Sequence, residues 1–126
     1  MVSYAGEETE SELVLIRKIK IYIKEHRKED LTAASIAQTF HYSPAYLSKI
    51  FRQYGKGKLS AYIMEQKLQE AKKMLLKTDK SVQEIAAELG YQSSQAFARA
   101  FRRELAMTPQ EYRREYITRE LSEFSQ

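Results

Sequence analysis

Ile36-Ala37-Gln38-Thr39-Phe40-His41-Tyr42-Ser43-Pro44-Ala45-Tyr46-Leu47-Ser48-Lys49-Ile50-Phe51-Arg52 is the stretch on which the fold turns, because its pattern occurs twice. Ile36-Ala37, Phe40 and Tyr42 align with Ile85-Ala86, Leu89 and Tyr91 at an offset of 49. Beyond the turn, Leu47, Lys49, Phe51 and Arg52 align with Phe97, Arg99, Phe101 and Arg102 at an offset of 50, so the second copy has one extra residue in its turn. Self-similarity at this spacing points to a duplicated supersecondary unit. Two helices joined by a tight turn with a φ-permissive residue make a helix-turn-helix.

Each copy carries its own start and stop signals. Thr32 stands as an N-cap, with Leu31 and Ile36 at the spacing of a hydrophobic staple, and predicts a short helix to about Phe40. Ser43 caps the next helix and Pro44 suits its first position, where no amide hydrogen is needed; that helix ends near Gly55. In the second copy Ser81-Val82-Gln83-Glu84 reads as a capping box opening a helix through Leu89. Gly90 supplies the turn, and Ser93 caps a helix through about Leu105.

Outward from the repeat, Leu13, Ile16, Ile19, Tyr22 and Ile23 recur at helical spacing between Ser11 and His26. Leu59 to Leu76 contains no proline or glycine, and Leu59, Ile63, Leu68, Ala71 and Leu75 form an apolar stripe. Thr108-Pro109-Gln110-Glu111 starts a last helix through Tyr116 or beyond. The expected fold is all-α: seven helices, in two helix-turn-helix units of homeodomain-like three-helix type joined by a long linker helix. Residues 1–10 read as a tail or linker remnant, 11–116 as the domain and 117–126 as a C-terminal extension. Within the domain the first motif spans about 32–54, the linker helix about 58–77 and the second motif about 81–105.

Composition narrows the function. A chain of 126 residues, 43% hydrophobic, suffices for one compact domain or two small ones sharing a scaffold. The absence of cysteine excludes disulfides, thiolate metal sites and a cysteine nucleophile, and leaves His26 and His41 as the only imidazoles, so no metal or other cofactor is expected. No phosphate-cradling glycine loop or nucleophile-base constellation is present, which argues against an enzyme. Neither a signal peptide nor a run of about 18 apolar residues appears, so a soluble cytoplasmic protein without membrane contact is expected. The net charge of +4 lies in the body: residues 1–30 hold 6 basic and 7 acidic side chains, the remainder 15 and 10. Such a surplus suits a polyanionic partner.

The second helix of each motif separates a packed hairpin from a reader of nucleic acid. Leu47, Ile50, Phe51 and Tyr54 share one face and read as core; Ala45, Ser48, Lys49 and Arg52 occupy the other. At the same phase Phe97, Ala100 and Phe101 point inward, and Gln95, Ala98, Arg99 and Arg102 point outward. Small residues permit close approach to a major groove, Arg and Lys reach guanine or phosphate, and Gln bridges adenine. The linker of about 18 residues spans roughly 27 Å at 1.5 Å per residue, against about 34 Å between successive major grooves on one face of DNA. His41 reads as a turn residue, and Glu65, Glu70 and Glu88 as helix-surface charges; Tyr42, Tyr62, Tyr91 and Tyr112 read as packing residues with their hydroxyls at the surface, phosphate contact by one or two of them being the alternative.

These marks together resemble the DNA-binding domain of the AraC/XylS family of bacterial transcription regulators. The resemblance covers about residues 11–116 and is densest from Phe97 to Arg113, through Phe101-Arg102-Arg103 and Met107-Thr108-Pro109-Gln110-Glu111-Tyr112-Arg113. It implies double-stranded DNA as partner, with Ser43, Ala45, Ser48, Lys49, Ser93, Ser94, Gln95, Ala98 and Arg99 at the contact. Phosphate anchoring falls to helix N-termini and to Arg52, Arg102 and Arg103. It further implies an activator that engages RNA polymerase under a sensor or receiver domain. DNA-repair methyl-transfer proteins with a similar domain need a cysteine, which this chain lacks. His41 and Ala106 stand where the family usually has glycine, and Lys67 where it usually has arginine. A helical module docking RNA polymerase or a sensor domain is the alternative, distinguished by affinity that does not fall steeply with salt.

Overall fold

The computed structural model describes the backbone of residues 4–125 and the side-chain environment of residues 11–118. Among the described residues the elements are seven helices: α1 (Tyr4–Glu25), α2 (Ala33–Phe40), α3 (Pro44–Tyr54), α4 (Leu59–Lys77), α5 (Val82–Glu88), α6 (Ser94–Leu105) and α7 (Pro109–Ser125). The all-α expectation holds, with boundaries within a residue or two over the repeat. The start of α1 does not follow the expectation. Residues 4–10, read as a tail, are helical, while 1–3 lie outside the described residues. Glu7, Glu8 and Glu10 fall in the first two turns of this helix, where acids are favoured by its dipole. At the other end, α7 carries its helix through the extension to Ser125.

The chain divides into two compact units: residues 1–27 with 31–66, and residues 28–30 with 67–126. In the first, Ile16, Ile19 and Ile23 of α1 close over Ile36 and Ala37 of α2, Leu47, Ile50 and Phe51 of α3, and Leu59 and Ile63 of α4. The start of α2 is fixed by reciprocal bonds of 3.0 Å between Thr32 and Ser35: each side-chain oxygen accepts from the other's amide. His41 ends α2 at φ 64°, in the left-handed conformation that ordinarily favours glycine. Its imidazole is tolerated there better than most side chains.

The second unit is built on Leu68, Ala71, Met74 and Leu75 of α4, Ile85, Ala86 and Leu89 at α5, and Phe97, Ala100 and Phe101 of α6. A ring series, Tyr91 on Phe97, Phe97 on Phe101, Phe101 on Tyr112 and Tyr112 on Tyr116, carries this core to α7. Arg113 ties α7 to α4 by donating from Nε to the Leu75 carbonyl at 2.9 Å. Ser81 caps α5 without the full reciprocal box: its hydroxyl accepts from the Glu84 amide at 3.0 Å and donates to the Glu84 carboxylate at 3.3 Å. A second complete box, after that of α2, is at α7, where the Thr108 hydroxyl and the Glu111 carboxylate each accept from the other's amide at 3.1 Å.

Lys67 is buried, and its ammonium donates to the carbonyls of Glu29 and Leu89. It thereby fastens residues 28–30 to the end of α5 within the second unit. Burial pushes its pKa down, partly offset by Asp30 and Glu29. Gly90 completes the join. It lies at φ 82°, and a Cβ there would stand 3.0–3.2 Å from backbone atoms of Glu29 and Asp30. Glu70, expected on the surface, is also buried, with Lys28 at 4.0 Å. The sequence pattern of α4 gave no warning: Lys28, which lies against its carboxylate, comes from the distant 28–30 segment rather than from a helical neighbour.

Candidate nucleic-acid interface

In α3 the apolar positions Leu47, Ile50 and Phe51 are buried, which turns Ala45, Ser48, Lys49 and Arg52 to solvent on one face. No acidic residue occurs in this helix. Ser43, its N-cap, is exposed, and its hydroxyl accepts from the Tyr46 amide at 3.1 Å. That oxygen is engaged in holding the helix start, so Ser43 serves the architecture as well as lining the surface.

In α6 Phe97, Ala100 and Phe101 are buried, and Gln95, Arg99, Arg102 and Arg103 are exposed. Ser93 is exposed and caps the helix, accepting from the Ala96 amide at 3.0 Å. Ser94 and Ala98, expected outward, are half-buried. The reason is α7: Thr108, Pro109 and Gln110 at its start, with Val82, line a shallow depression of about 260 Å³ with Ser94, Gln95 and Ala98. Nothing in the α6 periodicity shows this wall, because it arrives from a helix outside the motif. Gln110 at that wall read in the sequence only as part of a helix start, not as a residue of the interface.

Charge around α6 is organised by the same helix. The Glu111 carboxyl is held below the usual carboxylate range first by its bond from the Thr108 amide and then by the Thr108 hydroxyl, with Arg102 and Arg114 adding attraction. The one acid of α6, Glu104, lies 3.9 Å from Arg103. Arg99 and Arg102 therefore share a face to which α6 itself contributes no carboxylate, with Glu111 of α7 acting on Arg102.

The aromatic expectations divide. Tyr62 and Tyr91 are half-buried, and burial raises the pKa of both phenols. Tyr112 packs edge-on against Phe101, with ring centroids 5.4 Å apart. Tyr42 does not pack into a core. It is 43% exposed and stacks on Tyr46, itself 37% exposed, at a centroid distance of 5.4 Å. Among the described residues no group of three His, Asp or Glu is placed to hold a metal ion, and no helix is long and apolar enough to cross a membrane.

Known proteins share this arrangement. The family model described as a helix-turn-helix domain matches residues 36–115. YijO of Escherichia coli, an HTH-type transcriptional regulator, is 38% identical over 102 residues, which cover 81% of this chain and 36% of YijO. The regulatory protein SoxS of Salmonella typhimurium is 36% identical over 99 residues, 79% of this chain and 92% of SoxS. The chain thus spans about a third of the length of several curated relatives and nearly all of SoxS. Among solved structures, the C-terminal domain of AraT, a response regulator from Geobacillus stearothermophilus, superposes with a TM-score of 0.76 at 31% identity, over 79% of this chain and 84% of that one. The DNA-binding domain of AdpA, determined in complex with a target DNA, gives a TM-score of 0.76 at 26% identity, over 82% and 94%. With two helix-turn-helix motifs, paired outward basic faces and these relatives, the chain belongs to the AraC/XylS-type helix-turn-helix family of transcription regulators.

Proposed function

We propose that the chain binds double-stranded DNA sequence-specifically, with α3 and α6 reading two adjacent major-groove segments, and that it activates transcription by recruiting RNA polymerase. The observation that carries this reading is the matched pair of outward faces. Ala45, Ser48, Lys49 and Arg52 on α3, and Gln95, Ala98, Arg99 and Arg102 on α6, are small, amide or basic, with no acid among them. Acids there would repel phosphate, whereas these residues suit a groove. Lys49, Gln95 and Arg99 are the base readers in this proposal. Arg52, Arg102 and Arg103 hold phosphates, and Ser43, Ser48, Ser93 and Ser94 position the backbone. A sensor or receiver domain governs the regulator, and it acts in the cytoplasm; the likeness to a response-regulator domain supports the first of these.

The test is selection of bound duplexes from a random pool, with affinity for the winners measured at two salt concentrations. Two preferred blocks about one helical turn apart, and an affinity that falls steeply with salt, are expected. A pool without enrichment, or binding indifferent to salt, overturns the proposal in favour of a protein-docking module. A reporter carrying the selected site upstream of a weak promoter then separates activation from repression.

A further inference from the structure

Four large hydrophobic side chains stand exposed among the described residues: Val14, Ile21, Tyr42 and Tyr46. The first two are separated along α1, but the tyrosines are stacked on each other. Tyr42 directly precedes the Ser43 cap, and Tyr46 is the third residue of α3. They therefore sit at the N-terminal end of the helix, the end that helix-turn-helix proteins turn to base edges.

The second unit treats the equivalent positions differently. Tyr91, which matches Tyr42, is half-buried, its ring on Phe97 at 5.2 Å and beneath the Lys67 ammonium at 5.8 Å. The match of Tyr46 is Ala96, which offers no ring to stack on. One tyrosine position thus serves the core in one unit and the surface in the other. The polar reach of the two helices differs in the opposite sense. In its first two turns α6 presents Gln95 and Arg99, both able to read donor and acceptor patterns, whereas α3 presents Ala45, Ser48 and a single Lys49.

We propose that the Tyr42–Tyr46 pair reads sequence itself, as an aromatic edge that contacts thymine 5-methyl groups in the DNA segment bound by the first unit. The methyl group is the one apolar feature that base edges offer in the major groove, and an apolar contact suits it. The first unit then adds methyl contacts to the reading by Lys49, where the second relies on the hydrogen bonds of Gln95 and Arg99. This inference rests on the DNA-binding reading above.

The experiment uses the selected duplex, replacing each thymine in turn by deoxyuridine so that only a methyl group is lost. At one or two positions in one block, affinity is expected to fall by about four-fold, the scale of one buried methyl group. That penalty should vanish in the Tyr42→Ala/Tyr46→Ala variant and persist in the Tyr42→Phe/Tyr46→Phe variant, which keeps the rings. Both side chains are exposed, so a thermal melt should show the alanine variant folded; if it does not, the deoxyuridine series with wild type and the phenylalanine variant still decides. Uniform affinity across the deoxyuridine series overturns the inference. So does a penalty that survives the loss of both rings, or a phenylalanine variant weakened on every sequence alike, which would assign the hydroxyls to phosphate. In those cases selection and salt dependence still stand for the DNA-binding reading, whereas a wild-type protein that selects no sequence removes both.

Discussion

Ala106 ends α6 at φ 60° and His41 ends α2 at φ 64°. A Cβ in this conformation costs roughly 1–2 kcal/mol, partly recovered through the lower chain entropy of a non-glycine residue. Ala106→Gly is therefore expected to stabilise the protein by about 1 kcal/mol, read from the urea midpoint, with a smaller gain for His41→Gly. Lys67 offers the reverse test. Lys67→Met leaves the Glu29 and Leu89 carbonyls without this donor, at a cost of about 2 kcal/mol, whereas Lys67→Arg should lie close to wild type because guanidinium also donates to two carbonyls. The turn role of position 41 was legible from the residues around it, and that of position 106 from the glycine usual there in the family it resembles. The partners of Lys67 were not, since one lies 38 residues away and the other 22.

Helix starts were the most readable elements, because a cap is a local affair of three or four residues. Thr32, Ser43, Ser81, Ser93 and Thr108 all stand at the positions their sequence context assigned. The box at α7 makes a pH prediction. The Glu111 carboxyl titrates below its ordinary range when folded, so its contribution is fully present above that range and is lost as pH falls through the lowered pKa. Glu111→Ala is expected to melt below wild type at neutral pH, and the gap should close in strong acid. Equal gaps at both pH values would mean that the carboxylate does not act as this cap. Thr108→Ala, which removes the other half of the box, should cost about 1 kcal/mol. The faces of α3 and α6 were likewise legible from their period. The half-burial of Ser94 and Ala98 was not, because α7 supplies the wall beside them.

At the scale of the whole molecule, the two kinds of basic residue should separate in binding. Arg102→Ala is expected to weaken all sequences alike and to lower the slope of log affinity against log salt by about 0.9, the contribution of one phosphate. Arg99→Ala should instead relax preference at one base position, at about 1–3 kcal/mol of lost discrimination, measured by repeating the selection. If Arg99→Ala leaves both affinity and preference intact, the placement of α6 in a groove is wrong.

By itself the sequence determined that the chain is all-α, duplicated, capped at defined residues and basic on two matching helix faces. Apart from the duplication, which is read from the offset between the copies, each of these is set by neighbours within about two helical turns, where spacing translates directly into geometry. Tertiary structure decided what depends on distant segments. It drew residues 28–30 into the second unit under Lys67 and Gly90, buried Glu70, and set the start of α7 beside Ala98. It also turned Tyr91 into a core while leaving its counterpart Tyr42 on Tyr46 at the surface. The repeat makes those two tyrosines equivalent in sequence; only the packing around each ring makes them different.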